Sequence, residues 1–217
     1  MKPISKTAFY SCGVRMQDAQ SSNSACHDNY AKDFMNDDGL QIFEVFQDEI
    51  GPNASTVARH RIIDDFLRQV LLNYPNLCVV LIGAGFDSRA FRLKGGTWVE
   101  FDEPQVIAYK NERLPPASCE NELHRIPIDF STESLEEKLS SFAGHNPVVV
   151  VIEGVLMYLE EKVIEQLLQT LRHLFPQFQL ICDLMSRQFF GFFGNRCPTP
   201  QNMVVVFKSQ VEGIPSC

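Results

Sequence analysis

The chain has 217 residues, 45% hydrophobic and 21% charged, with a formal net charge of −8 and an isoelectric point near 5.1. That length suggests one domain with ample material for a core, and the acidic balance argues against nonspecific binding to nucleic acid or to an anionic membrane. The start, Met1-Lys2-Pro3-Ile4, lacks an apolar signal core, no run approaches membrane-spanning length, and the seven cysteines are scattered without a C-x-x-C pair, so a soluble cytoplasmic protein with reduced thiols and no metal site is expected.

Residues 1–35 are polar and read as one short helix before the Ser21-Ser22-Asn23-Ser24 break and another after it. Asn36-Asp37-Asp38-Gly39 reads as a turn, residues 40–49 as a short amphipathic helix, and Gly51-Pro52-Asn53 as its end. Over residues 55–73 Val57, Ile62, Ile63, Phe66, Leu67, Val70 and Leu71 recur at helical spacing, with Ser55 or Thr56 as cap. The polar side of that helix carries Arg59, His60, Arg61, Asp64 and Asp65. For His60, Asp64 and Asp65 a solvated face and a functional role are both open.

The stretch that organises the chain is LCVVLIGAGFDSRAFR, residues 77–92. Its apolar run ends in Gly83-Ala84-Gly85, the pattern of a buried parallel strand entering a tight turn. Glycines there let the backbone turn sharply and let a ligand approach the strand's carboxyl end, although the tripeptide by itself could simply close a turn. A dinucleotide fingerprint wants Gly or Ala three residues after the second glycine, where this chain has Ser88 preceded by Asp87. A carboxylate beside a pyrophosphate repels it, so the loop suits a ligand without phosphate. S-adenosylmethionine, with an adenosine, a cationic sulfonium and an amino-acid end, fits.

TWVEF, residues 97–101, gives a second strand closed by Asp102, seventeen residues past Gly85. An acid at that place accepts from both hydroxyls of a ribose diol. Pro104 stops the strand, and residues 105–113 form a helix. A third strand over 123–128 ends at Asp129-Phe130, an acid and an aromatic that could hold an adenine by its amine and by stacking. Asp129 could equally cap a helix over 131–141, and the two roles are compatible.

Residues 147–152 hold the most apolar strand, VVVVI, which delivers Glu153-Gly154. Residues 155–175 then read as a helix, and residues 178–182 as a fifth strand ending at Asp183. Alternating strands and helices predict an α/β fold with a doubly wound, mostly parallel Rossmann-like sheet. Residues 1–75 form its N-terminal helical cap, 76–185 its cofactor-binding core and 186–217 a divergent C-terminal segment. In that segment Phe189-Phe190-Gly191-Phe192-Phe193-Gly194 either lines an apolar pocket or packs a core edge, and residues 203–208 offer one more strand.

These stretches together resemble the leucine carboxyl methyltransferase family of class I S-adenosylmethionine-dependent O-methyltransferases. The resemblance covers about residues 5–185. It is carried by Ser5-Lys6-Thr7-Ala8, by the run from Ala58 to Asp65, by Gly83-Ala84-Gly85-Phe86-Asp87-Ser88-Arg89, by Glu100-Phe101-Asp102-Glu103-Pro104 with Lys110, and by Glu153-Gly154-Val155-Leu156-Met157-Tyr158-Leu159. It implies that Arg59 holds the methionine carboxylate with help from Lys6, that Gly83 and Gly85 form the turn beneath the cofactor, and that Asp102 binds the ribose. It also implies adenine contacts from Asp129 and Phe130, and Glu153 facing the amino-acid end and the sulfonium.

The implied activity is methyl transfer to a carboxylate or hydroxyl oxygen of a small molecule or a protein C-terminus. Transfer is an in-line displacement, so alignment and exclusion of water do most of the work. A carboxylate needs no general base, while a phenol needs one or a helpful field. No histidine is clearly placed for that job, and His60 is only a weak candidate. Tyr158 either orients substrate or packs its helix, and no catalytic residue is assigned.

Family members usually continue past the fifth strand with a helix and an antiparallel hairpin, and about thirty residues follow Arg187 here. A shortened or divergent member with an exposed sheet edge is expected. The competing class is a catalytically silent relative that binds cofactor or a protein partner. A nicotinamide-dependent dehydrogenase is disfavoured by Asp87 and Ser88.

Overall fold

The computed structural model describes residues 3–185 and 202–208. Helices α1 (Pro3–Ala19), α2 (Ala31–Phe34), α3 (Asp37–Glu44) and α4 (Ile50–Asn73) precede the sheet. Strands β1 (Cys78–Ile82), β2 (Thr97–Asp102), β3 (Glu122–Pro127), β4 (Val148–Ile152), β5 (Phe178–Met185) and β6 (Asn202–Lys208) follow. They are joined by α5 (Arg89–Arg92), α6 (Pro104–Arg113), α7 (Leu135–Leu139) and α8 (Glu161–Leu174). The strand order is β3-β2-β1-β4-β5-β6, with the first five parallel and β6 antiparallel to β5. The chain therefore winds outward one way from β1 to β3 and the other way from β4 to β5. The reversal leaves a crevice at the carboxyl ends of β1 and β4, where ligands bind in open α/β sheets.

Alternation along the buried strands splits the core into two layers. Cys78, Val80 and Ile82 with Val148, Val150 and Ile152 face Leu167, Leu171 and Leu174 of α8. Val79, Leu81, Trp98, Val149 and Val151 face Ile63, Leu67 and Leu71 of α4. A smaller aromatic cluster of Phe9, Phe34 and Phe86 fastens α1 and α2 to the turn after β1, Phe34 stacking on Phe86 at 5.3 Å between centroids. Buried Glu100 of β2 is ion-paired to Lys110 of α6 and Arg125 of β3, at 2.7 and 2.8 Å. The three tie one helix and two strands together.

Several local expectations change. Asn36 does not close a turn; its Oδ1 accepts from Gly39 N at 2.8 Å and caps α3. Gly51-Pro52-Asn53 does not break a helix but lies in the first turn of α4, where a missing N–H costs nothing because that donor has no intrahelical partner. Thr56 accordingly is no cap; its hydroxyl donates to Pro52 O at 3.0 Å inside the helix. The helix expected from residue 155 is a single tight turn, Leu156–Tyr158, followed by α8. The strand expected over 203–208 is β6, whereas the Phe189–Gly194 segment lies outside the described residues.

Cys12, Cys26, Cys78, Cys119 and Cys182 are free thiols. Among the described residues no helix is long and apolar enough to cross a membrane.

Candidate functional site

A cavity of about 540 Å³ opens at the carboxyl ends of β1, β2 and β4 and is roofed by Thr7, Ala8 and Ser11 of α1. Gly83, Gly85, Asp102 and Glu153 all line it. Gly83 has φ +73°, and a Cβ there would stand 2.3 Å from Val155 Cγ2, so both backbone and space exclude a side chain. The Gly83 and Ala84 N–H groups donate to Phe101 O at 2.9 and 3.0 Å, hanging the turn on β2.

Asp102 closes that strand, with Oδ2 accepting from Gly85 N at 2.6 Å and Oδ1 from Glu103 N at 2.7 Å. Burial pushes its carboxyl above the ordinary range, against the pull of those two N–H groups. Each oxygen keeps a second lone pair for a ligand.

On the other side of β1, β4 and β5 are in register at Ile152 and Cys182, so the next residues of the two chains, Glu153 and Asp183, bring two carboxylates together. Arg59 of α4 bridges them, Nε to Glu153 Oε1 at 3.0 Å and Nη1 to Asp183 Oδ2 at 2.9 Å. Asp183 Oδ1 also accepts from Gly154 N at 2.7 Å.

A second guanidinium, Arg89, lies fully buried beneath the cavity floor. Its Nη1 donates to Glu153 Oε2 at 2.8 Å and to Asp87 Oδ2, its Nε to Asp64 Oδ1 at 2.6 Å, and its Nη2 meets His60 Nδ1 at 2.7 Å. The ligating atoms of His60, Asp87 and Glu153 lie within 4.8 Å of one another, as in a metal site, but the Arg89 guanidinium contacts all three and fills the position an ion would take. Burial opposes ionisation of Glu153, yet Arg89 and Arg59 outweigh it and hold the carboxyl well below its usual range.

His60 is pinned from both sides, with Arg92 Nη2 2.8 Å from its Nε2. A neutral imidazole has one acceptor nitrogen, so the two guanidiniums compete for it. Burial, then Arg89, pushes its pKa down. Such a side chain holds the floor together and is not free to act as a base.

The expected site residues divide. Arg59, Gly83, Gly85, Asp102 and Glu153 converge on the one cavity, and Phe130, 42% exposed, stands at its rim. Asp129 lies off the lining; its Oδ1 accepts from Ser131 N at 3.0 Å and from Ser131 Oγ in a turn. It does not cap a helix either, because the helix expected over 131–141 is α7, five residues long and capped by Ser134, whose hydroxyl accepts from Glu137 N. Lys6 is exposed on α1, outside the lining.

Asp87 lines the cavity but does not present a bare charge to it, because Arg89 binds both its oxygens through backbone N and Nη1. The case against a pyrophosphate therefore rests on α5, whose four residues are too short a helix to supply a dipole. Tyr158 does not pack a helix core: it is 46% exposed, lines the cavity and shares a side-chain hydrogen bond with Thr7 of α1.

Asp183, Arg89 and buried Asp64 were missed as site residues. Asp183 carried a signal as one of the acids that close successive strands. Asp64 and Asp65 separate, Asp64 buried against Arg89 and Arg92 and Asp65 exposed with Arg61 and Arg68.

The fold is that of a methyltransferase-type doubly wound sheet; a crystal structure of a protein from Thermobifida fusca, provisionally named a methyltransferase, matches with a TM-score of 0.50 at 12% identity, over 86% of this chain and 68% of that one. The chain belongs to the leucine carboxyl methyltransferase family, whose model matches residues 8–172. A Mycolicibacterium paratuberculosis protein provisionally named an S-adenosyl-L-methionine-dependent methyltransferase is 30% identical over 76% of this chain and 60% of its own. The tetracenomycin polyketide synthesis O-methyltransferase TcmP of Streptomyces glaucescens is 32% identical over 54% of this chain and 42% of its own. The chain spans about half the length of the curated relatives it matches.

Proposed function

We propose that the chain binds S-adenosylmethionine in this cavity and transfers its methyl group to a carboxylate or hydroxyl oxygen of a small molecule or a protein C-terminus. The observation that carries this reading is the convergence of the Gly83 turn, Asp102 and Arg59 on one cavity at the switch between β1 and β4. Asp102 takes the ribose diol with its remaining lone pairs, and Phe130 supplies a face for the adenine. The carboxylate of the methionine end meets Arg59.

Charge supports a cationic ligand. Among the residues that line the cavity, Arg15 and Arg59 stand against Asp87, Asp102, Glu103, Glu133, Glu136 and Glu153, so acids outnumber bases in its wall. A sulfonium is stabilised next to that excess, and Glu153 is one of the acids that line the cavity.

S-adenosylmethionine supplies an electrophilic methyl group. The chain's own part is to hold the cofactor by its ends, align the acceptor oxygen behind the methyl and keep water out. His60 is pinned between two guanidiniums and is not available as a general base. An acceptor that is already ionised, such as a carboxylate, needs none.

The test is incubation with cofactor carrying a tritiated methyl group and a panel of carboxylic acids, phenols and peptides. Labelled ester or ether with stoichiometric S-adenosylhomocysteine is expected. Cofactor binding without transfer to any acceptor identifies a silent binder, and absence of both overturns the reading.

A further inference from the structure

We infer that Asp183 is a positioning residue that aims Arg59 at the amino-acid end of the ligand; the inference rests on the proposed cofactor reading and deepens it. Asp183 is fully buried within β5, two residues before its end, and does not line the cavity. Its two oxygens do different jobs. Oδ1 holds the N–H of Gly154, in a turn with φ +72°, and Oδ2 holds Arg59 Nη1.

Glu153 takes Nε of the same guanidinium from the side. Two of the three guanidinium nitrogens are thereby fixed by carboxylates. Among the described residues Nη2 of Arg59 has no hydrogen-bond partner, and it lies over Gly154, 3.8 Å from where a Cβ would be. Arg59 reaches the cavity lining, so this leftover edge is the one a ligand anion can meet.

An arginine side chain is long and rotamer-rich, and an arginine already held in its bound geometry loses less freedom when a ligand arrives. Asp183 and Glu153 are also like charges brought side by side by the strand register, which the bridging guanidinium relieves. Their mutual repulsion without it keeps Arg59 in place. Asp183 therefore acts on the ligand through Arg59 and on the Gly154 turn through its backbone, without touching the reacting atoms.

The experiment compares binding of S-adenosylhomocysteine with that of 5′-methylthioadenosine, which has the nucleoside and sulfur but no amino-acid end. Asp183→Asn keeps an acceptor for Gly154 N and removes the charge that holds Arg59. The expected result is a loss of S-adenosylhomocysteine affinity of about tenfold or more, with methylthioadenosine affinity unchanged. Should that variant fail to fold, Asp183→Glu, which keeps the charge but displaces it by one methylene, is expected to give the same one-sided loss. Equal weakening of both ligands shows a merely structural role and overturns the inference, as does no change in either. If the wild-type chain binds neither ligand, the cofactor reading itself fails and takes this inference with it.

Discussion

The backbone N–H of Gly85 donates to Asp102 Oδ2 at 2.6 Å, joining the turn after β1 to the end of β2. One carboxylate thus shapes the glycine turn and also faces the ligand cavity. Asp102→Ala leaves the half-buried Gly85 and Glu103 N–H groups without their acceptor and removes the proposed ribose contact. A loss of about 1.5–3 kcal/mol in S-adenosylhomocysteine binding, read by titration calorimetry, is expected from a hydrogen bond to a charged group.

Gly83→Ala carries two separable costs. The φ of +73° disfavours any L side chain, and the new Cβ meets Val155 Cγ2 at 2.3 Å. Together they are expected to destabilise the chain by about 1–3 kcal/mol in urea denaturation. Adding Val155→Ala to that variant clears the contact but not the backbone strain, so only part of the loss beyond that of Val155→Ala alone should return. Full recovery would mean that the left-handed turn carries no cost.

Arg89 neutralises three carboxylates at once, Asp64, Asp87 and Glu153. Arg89→Ala strands buried charges and is expected to cost about 3–5 kcal/mol, seen as a large drop in the urea midpoint. Arg89→Lys should rescue only part of this, because one ammonium cannot reproduce a planar fork that reaches Asp64, Glu153 and His60 together.

Acid should loosen the same network. Burial opposes ionisation of Asp28, but Arg15 and Arg92 outweigh it and hold its carboxyl at about 2. Asp64, Asp87 and Glu153 are likewise held down against their burial, chiefly by Arg89. A depressed carboxyl contributes stability that is present above its unfolded value near ~4 and is lost as pH falls through the folded one. For Asp28 alone this is on the order of 2 kcal/mol, between about pH 4 and 2.

His60, depressed by burial and by Arg89, adds a loss that begins below about pH 6.5, where the unfolded imidazole takes up its proton first. Asp102, raised by burial, works in the opposite direction. The urea midpoint measured against pH should therefore hold near neutrality, decline gently below about 6.5 and fall steeply below about 4. A midpoint that rises on acidification would contradict the assignment.

The sheet was legible because buried parallel strands write themselves as unbroken apolar runs: VVVVI is β4, and all five of its residues are buried. The strand ends, with Gly83, Asp102 and Glu153, were legible for the same reason. The floor of the cavity was not. His60 and Asp64 stand one helical turn apart on α4, and nothing in their spacing separates a solvated face from one turned toward two arginines 25 or more residues away. The start of α4 was misplaced because proline stops a helix in its interior but is tolerated in its first turn. Asp129 and Lys6 were named from motif positions, and neither burial nor distance from the cavity can be read from a motif.

The central claim is that the carboxyl ends of consecutive parallel strands converge on a single adenosylated ligand. A crystal structure of the chain soaked with S-adenosylhomocysteine tests it most directly. The account predicts the ribose hydroxyls on Asp102, the adenine against Phe130 and the amino-acid carboxylate on the Nη2 edge of Arg59. A ligand bound anywhere else, or a cavity that stays closed to it at saturating concentration, would contradict the account.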